Sequence, residues 1–170
     1  MLDQPNCVNK ALNYGARLMT NKAMVRLGGL ESHADQLSKI NHLVLAACGT
    51  SFYACKYAEE LMKRLNCFSY IEAKSAAEIT ATDLRFKTRH EAAILCVSQS
   101  GETMDLLTPF RLAKQMGLQR INVVNKVNST LARENNCGVF INCGREFSVA
   151  STKAYIAQVV VLTLVSLWFS

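Results

Sequence analysis

Five short apolar runs, each followed by a segment of helix-forming character, constrain this chain more than any other feature. The runs are 42–48 (HLVLAAC), 68–73 (FSYIEA), 92–98 (AAILCVS), 120–125 (RINVVN) and 137–143 (CGVFINC). Helix-compatible segments lie between them at 52–65, 75–82, 104–117 and 129–135, and a last one covers 151–169. Strands that are apolar at consecutive positions are buried on both faces, the condition of a parallel sheet covered by helices. The rhythm predicts an α/β chain, a three-layer αβα sandwich around a five-stranded parallel sheet. Right-handed crossovers leave few topologies, and the flavodoxin-like order 2-1-3-4-5 is the economical one. Residues 1–40 precede the first strand and are expected to form a helical lead-in, broken at Leu27-Gly28-Gly29-Leu30 and packed on a domain covering 41–170. A chain of 170 residues, half of them apolar, is long enough for one such core.

Local signals refine these bounds. Ser75-Ala76-Ala77-Glu78 has the capping-box pattern and is expected to open the second helix. Gly117 stands where the third helix should stop. Asn125 and Asn128 bracket a turn in which either tolerates left-handed backbone. Pro109 falls inside the third helix, so a kink or a restart capped by Thr108 is expected there.

The chemistry concentrates where strands should hand over to helices. Ser98-Gln99-Ser100-Gly101-Glu102-Thr103 leaves the third strand and enters a helix at about Met104. Unpaired N–H groups and the macrodipole make a helix start an anion site, hydroxyls and a carboxamide add neutral donors, and glycine lets the backbone approach closely. The first strand ends similarly at Cys48-Gly49-Thr50-Ser51, and Ser148-Val149-Ala150-Ser151-Thr152-Lys153 opens the last helix. In order 2-1-3 the first two of these turns face each other at the switch point, where open parallel sheets bind ligands. With no P-loop or dinucleotide fingerprint, a single phosphate on a polyol is the better guest than a nucleotide.

These turns carry a resemblance. Cys48 to Ser51, Ser98 to Thr103 and Val149-Ala150-Ser151-Thr152-Lys153-Ala154-Tyr155 resemble the signature turns of the sugar isomerase (SIS) domain. Within that group they are similar to the N-terminal SIS lobe of the isomerising glutamine:fructose-6-phosphate aminotransferases, the glucosamine-6-phosphate synthases of amino sugar biosynthesis. The resemblance implies phosphate roles for Ser98, Ser100 and Thr103, with Gln99 and Ser51 alongside. It implies that Thr50 lies at the sugar and that Val149, Ala150 and Ser151 contact its hydroxyls. Phe147 stands where the family has a smaller residue and is expected to reshape that edge, and Asn128 replaces a usual glycine. The family's isomerising carboxylate, ring-opening histidine and Schiff-base lysine come from a second lobe beyond Ser170, and its glutaminase domain has no counterpart here. The chain is therefore expected to bind a phosphosugar without catalysing on its own. The rival readings are a stand-alone single-lobe isomerase and a non-catalytic sensor module.

Other features support this picture. The formal charge of +6 comes from scattered Lys and Arg without aromatic interleaving, so no nucleic acid partner is expected. Seven cysteines lie outside any CxxC or zinc spacing, which fits buried thiols in a cytoplasmic protein with no metal and no cofactor. Cys48 is expected to be a packed thiol rather than a nucleophile, and His33, His42 and His90 to be surface or packing residues. Glu102 is expected to turn from the anion or bond backbone N–H groups, and Glu146 is the one acid near the third turn. The run Ala154 to Phe169 is too short to span a bilayer unaided. It is instead expected to be a core helix that meets a second copy of the chain or a second SIS lobe.

Overall fold

The computed structural model describes residues 3–146 and 151–170. The lead-in comprises helix α1 (Gln4–Ala11), a two-stranded antiparallel hairpin of β1 (Leu18–Met19) and β2 (Met24–Val25), and two short helices, α2 (Gly28–Glu31) and α3 (Ala34–Leu37). Gly28-Gly29 thus begins a helix rather than breaking one. Gly29 is needed because a Cβ there would lie 2.0 Å from the Gly138 carbonyl oxygen.

The sheet follows: β3 (His42–Ala47), α4 (Thr50–Arg64), β4 (Tyr70–Ser75), β5 (Ala92–Ser98), α5 (Met104–Gln115), β6 (Gln119–Val124), α6 (Thr130–Glu134), β7 (Gly138–Phe140) and α7 (Lys153–Phe169). Every strand pair in it is parallel, in the order β4-β3-β5-β6-β7. Numbering these five strands from one gives 2-1-3-4-5, as the rhythm of the sequence predicts.

Alternation along the strands builds two cores. Leu43, Leu45 and Ala47 of β3, with Ala93, Leu95 and Val97 of β5, join α1, α4 and α7 on one face. Val44 and Ala46, with Ala92, Ile94 and Cys96, join Leu106, Leu107, Phe110 and Ala113 of α5 on the other. The central strands are buried on both sides, which explains why they read as continuous apolar runs.

One local expectation is corrected and two are narrowed. Residues 75–82 do not form a helix: β4 runs through Ser75, a single 3-10 turn covers Ala76–Glu78, and Ser75 makes no cap bond. Asp83 accepts from both the amide and the hydroxyl of Thr80 at 2.8 Å, a local bond that competes with helical pairing. Neither Asn125 nor Asn128 takes positive φ, which falls instead on Asn13, Asn66 and Asn142 among the asparagines. Asn125 is engaged otherwise, donating to Gly144 O at 2.7 Å and accepting from Cys143 N at 2.9 Å. Pro109 lies within the single helix α5 with no restart, and the Thr108 hydroxyl donates to Met104 O at 3.2 Å. The stop at Gly117 stands as expected. Gly117 has φ +78°, its N–H reaches Lys114 O, and Leu118 N–H reaches Ala113 O, a Schellman ending.

Candidate functional site

The carboxyl ends of β3 and β5 meet at the switch point, and a cavity of about 430 Å³ opens there. It is lined by Thr50 and Ser51 from the first turn, by Ser98, Gln99, Ser100 and Thr103 from the second, and by Glu146 and Ser151. The structure therefore brings together the predicted residues that lie within its described part. Val149 and Ala150, together with Phe147, fall outside it.

Each turn is shaped by its own bonds. Gly49 and Gly101 have φ +57° and +66°, backbone that favours glycine. Gly101 is doubly constrained, because a Cβ there would lie 2.2 Å from Ser129 Oγ. Ser98, 5% exposed, accepts from the Gly101 N–H at 2.9 Å. Ser100 Oγ accepts from the Glu102 N–H at 3.2 Å. Ser51, 7% exposed, accepts from the Gln158 carboxamide at 2.9 Å. All three hydroxyl oxygens thus accept a hydrogen bond from the protein behind them, which leaves each hydroxyl's own proton to donate forward. Ser151 Oγ is buried with no partner among the described residues. Neither α4 nor α5 carries a side-chain cap bond at its start, and the residues at the two starts, Gly49 to Ser51 and Thr103, line the cavity.

The charges are arranged around this neutral lining. Glu102 turns away and accepts from Thr130 N–H at 3.0 Å and from its hydroxyl at 2.7 Å. Those bonds hold its carboxyl below the usual carboxylate range. Glu146 lines the cavity, yet its carboxylate accepts from Thr152 N–H at 3.2 Å and Ala154 N–H at 3.1 Å, capping α7. Lys153, instead of reaching the cavity, pairs with Asp3 at 2.7 Å and ties α7 to the lead-in. The Cys48 thiol is raised first by burial and then by the Asp105 charge, the reverse of what a thiolate nucleophile requires. His42 packs against the Phe86 ring, with centroids 5.1 Å apart. Beside the cavity, a second of about 670 Å³ shares Gln99 and Ser100 and adds Lys126 and Arg145.

One participant, Gln158, escaped the reading of the sequence, and the task of another, Glu146, was not visible in it. Gln158 showed only as a polar break in an apolar run, and Glu146 showed as the one candidate base near the third turn rather than as the cap of α7. Their partners depend on how α7 docks against α4 and the turn after β7, which no local pattern encodes.

Known proteins share this architecture. The family model for the SIS domain matches residues 36–167. A glutamine–fructose-6-phosphate aminotransferase [isomerizing] from Chlorobaculum tepidum is 32% identical over 174 residues, covering 100% of this chain and 27% of its own length. This chain thus spans about a quarter of that curated relative. The solved C-terminal domain of glucosamine-fructose-6-phosphate aminotransferase from Francisella tularensis superposes with a TM-score of 0.84 at 27% identity, over 99% of this chain and 45% of that one. An Escherichia coli CFT073 protein solved in complex with A5P shares the fold at 18% identity and a TM-score of 0.76, over 99% of this chain and 85% of that one.

Proposed function

This chain belongs to the SIS domain family, and we propose that within it the cavity at the switch point binds a phosphorylated hexose, fructose 6-phosphate or glucosamine 6-phosphate. One observation carries the reading: Ser51, Ser98 and Ser100 all accept from the protein and keep their protons for a ligand. Hydroxyl donors at two helix starts suit a phosphate dianion without a lysine or arginine in the cavity wall, and Glu146, the one lining carboxylate among the described residues, is engaged by the amides of Thr152 and Ala154. The phosphate would rest on Ser51, Ser98, Gln99, Ser100 and Thr103. The sugar would lie toward Thr50 and the segment 149–151.

The role we assign is positioning. Fixing the phosphate leaves C1 and C2 presented to acid–base groups from elsewhere, as ketose-to-aldose isomerisation coupled to amination in hexosamine biosynthesis requires. Residues 1–40 would serve as a lead-in clamped to the SIS domain of 41–170 in the cytoplasm. A second SIS lobe, or a second copy of the chain, would cover the apolar surface around Leu18, Met24 and Leu167, all of them exposed. No helix of the described residues is long and apolar enough to cross a membrane.

Titration calorimetry tests the assignment. Fructose 6-phosphate should bind at least about 100-fold more tightly than fructose, the worth of one or two charge-assisted bonds at about 1.5–3 kcal/mol each. Equal affinities would remove the phosphate reading.

A further inference from the structure

Three polar residues interrupt the apolar helix α7. Thr163 and Ser166 donate to carbonyls one turn back, Val159 O at 2.9 Å and Leu162 O at 2.8 Å, and the Thr163 hydroxyl also lies 3.2 Å from that of Tyr57 on α4, so both are satisfied. Gln158 is not. It is 0% exposed, its Nε2 crosses to Ser51 Oγ at 2.9 Å, and its Oε1 has no partner among the described residues. Burying a carboxamide with one half unpaired is unfavourable, and a leucine would fill the same space without that penalty. The one bond Gln158 does make ends on a hydroxyl that lines the cavity.

A serine has one proton and two lone pairs. While Gln158 occupies a lone pair from behind, Ser51 cannot spend its proton on that neighbour. We infer that Gln158 is the positioning residue of the phosphate site: it sets the direction of the Ser51 hydroxyl, so that Ser51 meets an anion as a donor. The inference rests on the reading of the cavity as a phosphosugar site. It also explains why a carboxamide is retained at this buried point of the α4–α7 contact, whereas the other polar pair across it, Tyr57 with Thr163, is exposed.

Reversing the direction of the bond is the test. Inorganic phosphate and fructose 6-phosphate are titrated calorimetrically into the parent chain, Gln158→Leu and Gln158→Glu between about pH 5.5 and 8.5. Gln158→Leu should weaken both ligands about 5- to 20-fold, the worth of one misdirected bond, at every pH. Gln158→Glu should behave differently. At high pH the new carboxylate only accepts, draws the Ser51 proton inward and repels the anion, so binding should fall at least about 50-fold. Burial raises such a carboxyl, and once protonated it donates again, so affinity should recover toward the parent at low pH. Taking the ratio to the parent at each pH cancels the titration of the ligand itself.

A flat ratio overturns the inference, and because the new carboxylate repels the anion directly as well, a sloped ratio supports it only together with the cycle that follows. The second arm is a double-mutant cycle. With Ser51→Ala already present, Gln158→Leu should weaken binding no further, whereas additive losses would show that Gln158 does not act through Ser51. A parent chain that binds neither ligand would overturn the phosphosugar reading itself. A parent that binds, with a flat ratio or additive losses, overturns only the assignment of Gln158.

Discussion

Ser98 and Ser100 sit two residues apart in the same turn but carry different burdens. Ser98 is buried and holds the Gly101 amide, so Ser98→Ala leaves a buried N–H unpaired. It should lower unfolding stability by about 1–3 kcal/mol and weaken phosphosugar binding as well. Ser100 is half-buried and holds an amide at the edge of the turn, so Ser100→Ala should change stability by less than about 0.5 kcal/mol while still weakening the ligand. Denaturant midpoints read beside calorimetric affinities separate the two, and equal stability losses would contradict this division. Gly101→Ala is expected to be more damaging than either, at about 2–4 kcal/mol, because positive φ and a collision with Ser129 act together. A melting curve unchanged from the parent would show that the turn relaxes more easily than its geometry implies.

At the scale of elements, the strands were legible because burial on both faces writes itself into consecutive residues. Ala92 to Ser98 is a strand at the bounds its apolar run predicts. The run 137–143 shrinks to Gly138–Phe140 because Asn142 turns left-handed and Asn125 seizes Cys143 and Gly144. The missing helix at 75–82 has an electrostatic signature. Asp83 is held down to about 2 by Lys74, with the Thr80 bonds adding to the effect. Its folded value lies below the ordinary 3.8, so its contribution is complete above about pH 4 and is lost as pH falls toward 2. Asp83→Asn should remove that share of the acid-limb slope, visible in urea midpoints taken from pH 5 to 2, and a slope unchanged by the substitution would contradict it. The start of α7 rests on another carboxylate. Glu146→Ala should cost about 0.5–2 kcal/mol and fray that helix end by amide exchange, since two amides lose their acceptor.

Across the whole molecule, the cavity sets a limit on chemistry. Its only lining carboxylate among the described residues is Glu146, already committed to the amides of Thr152 and Ala154. The 170-residue chain is therefore expected to bind fructose 6-phosphate without converting it to glucose 6-phosphate, as followed by a coupled assay. Turnover that disappears in Glu146→Gln would favour a stand-alone isomerase instead. The site was half legible in the sequence: hydroxyl-rich strand ends announced themselves, whereas the groups behind them did not. A carboxamide reaching across 107 positions becomes visible only once two helices are packed. That long reach has a temporal side. The chain leaves its site of synthesis in order, so Ser98 meets its partner Gly101 at once, while Ser51 emerges early and waits for Gln158 to arrive with α7. Strands β3 to β6 can pair before that moment, but one face of the sheet still lacks α7 and the cavity lacks the wall that Glu146 and Ser151 supply. A phosphosugar site of this kind would be completed only when α7 docks on α4, so affinity for the ligand should report that docking rather than the pairing of the strands.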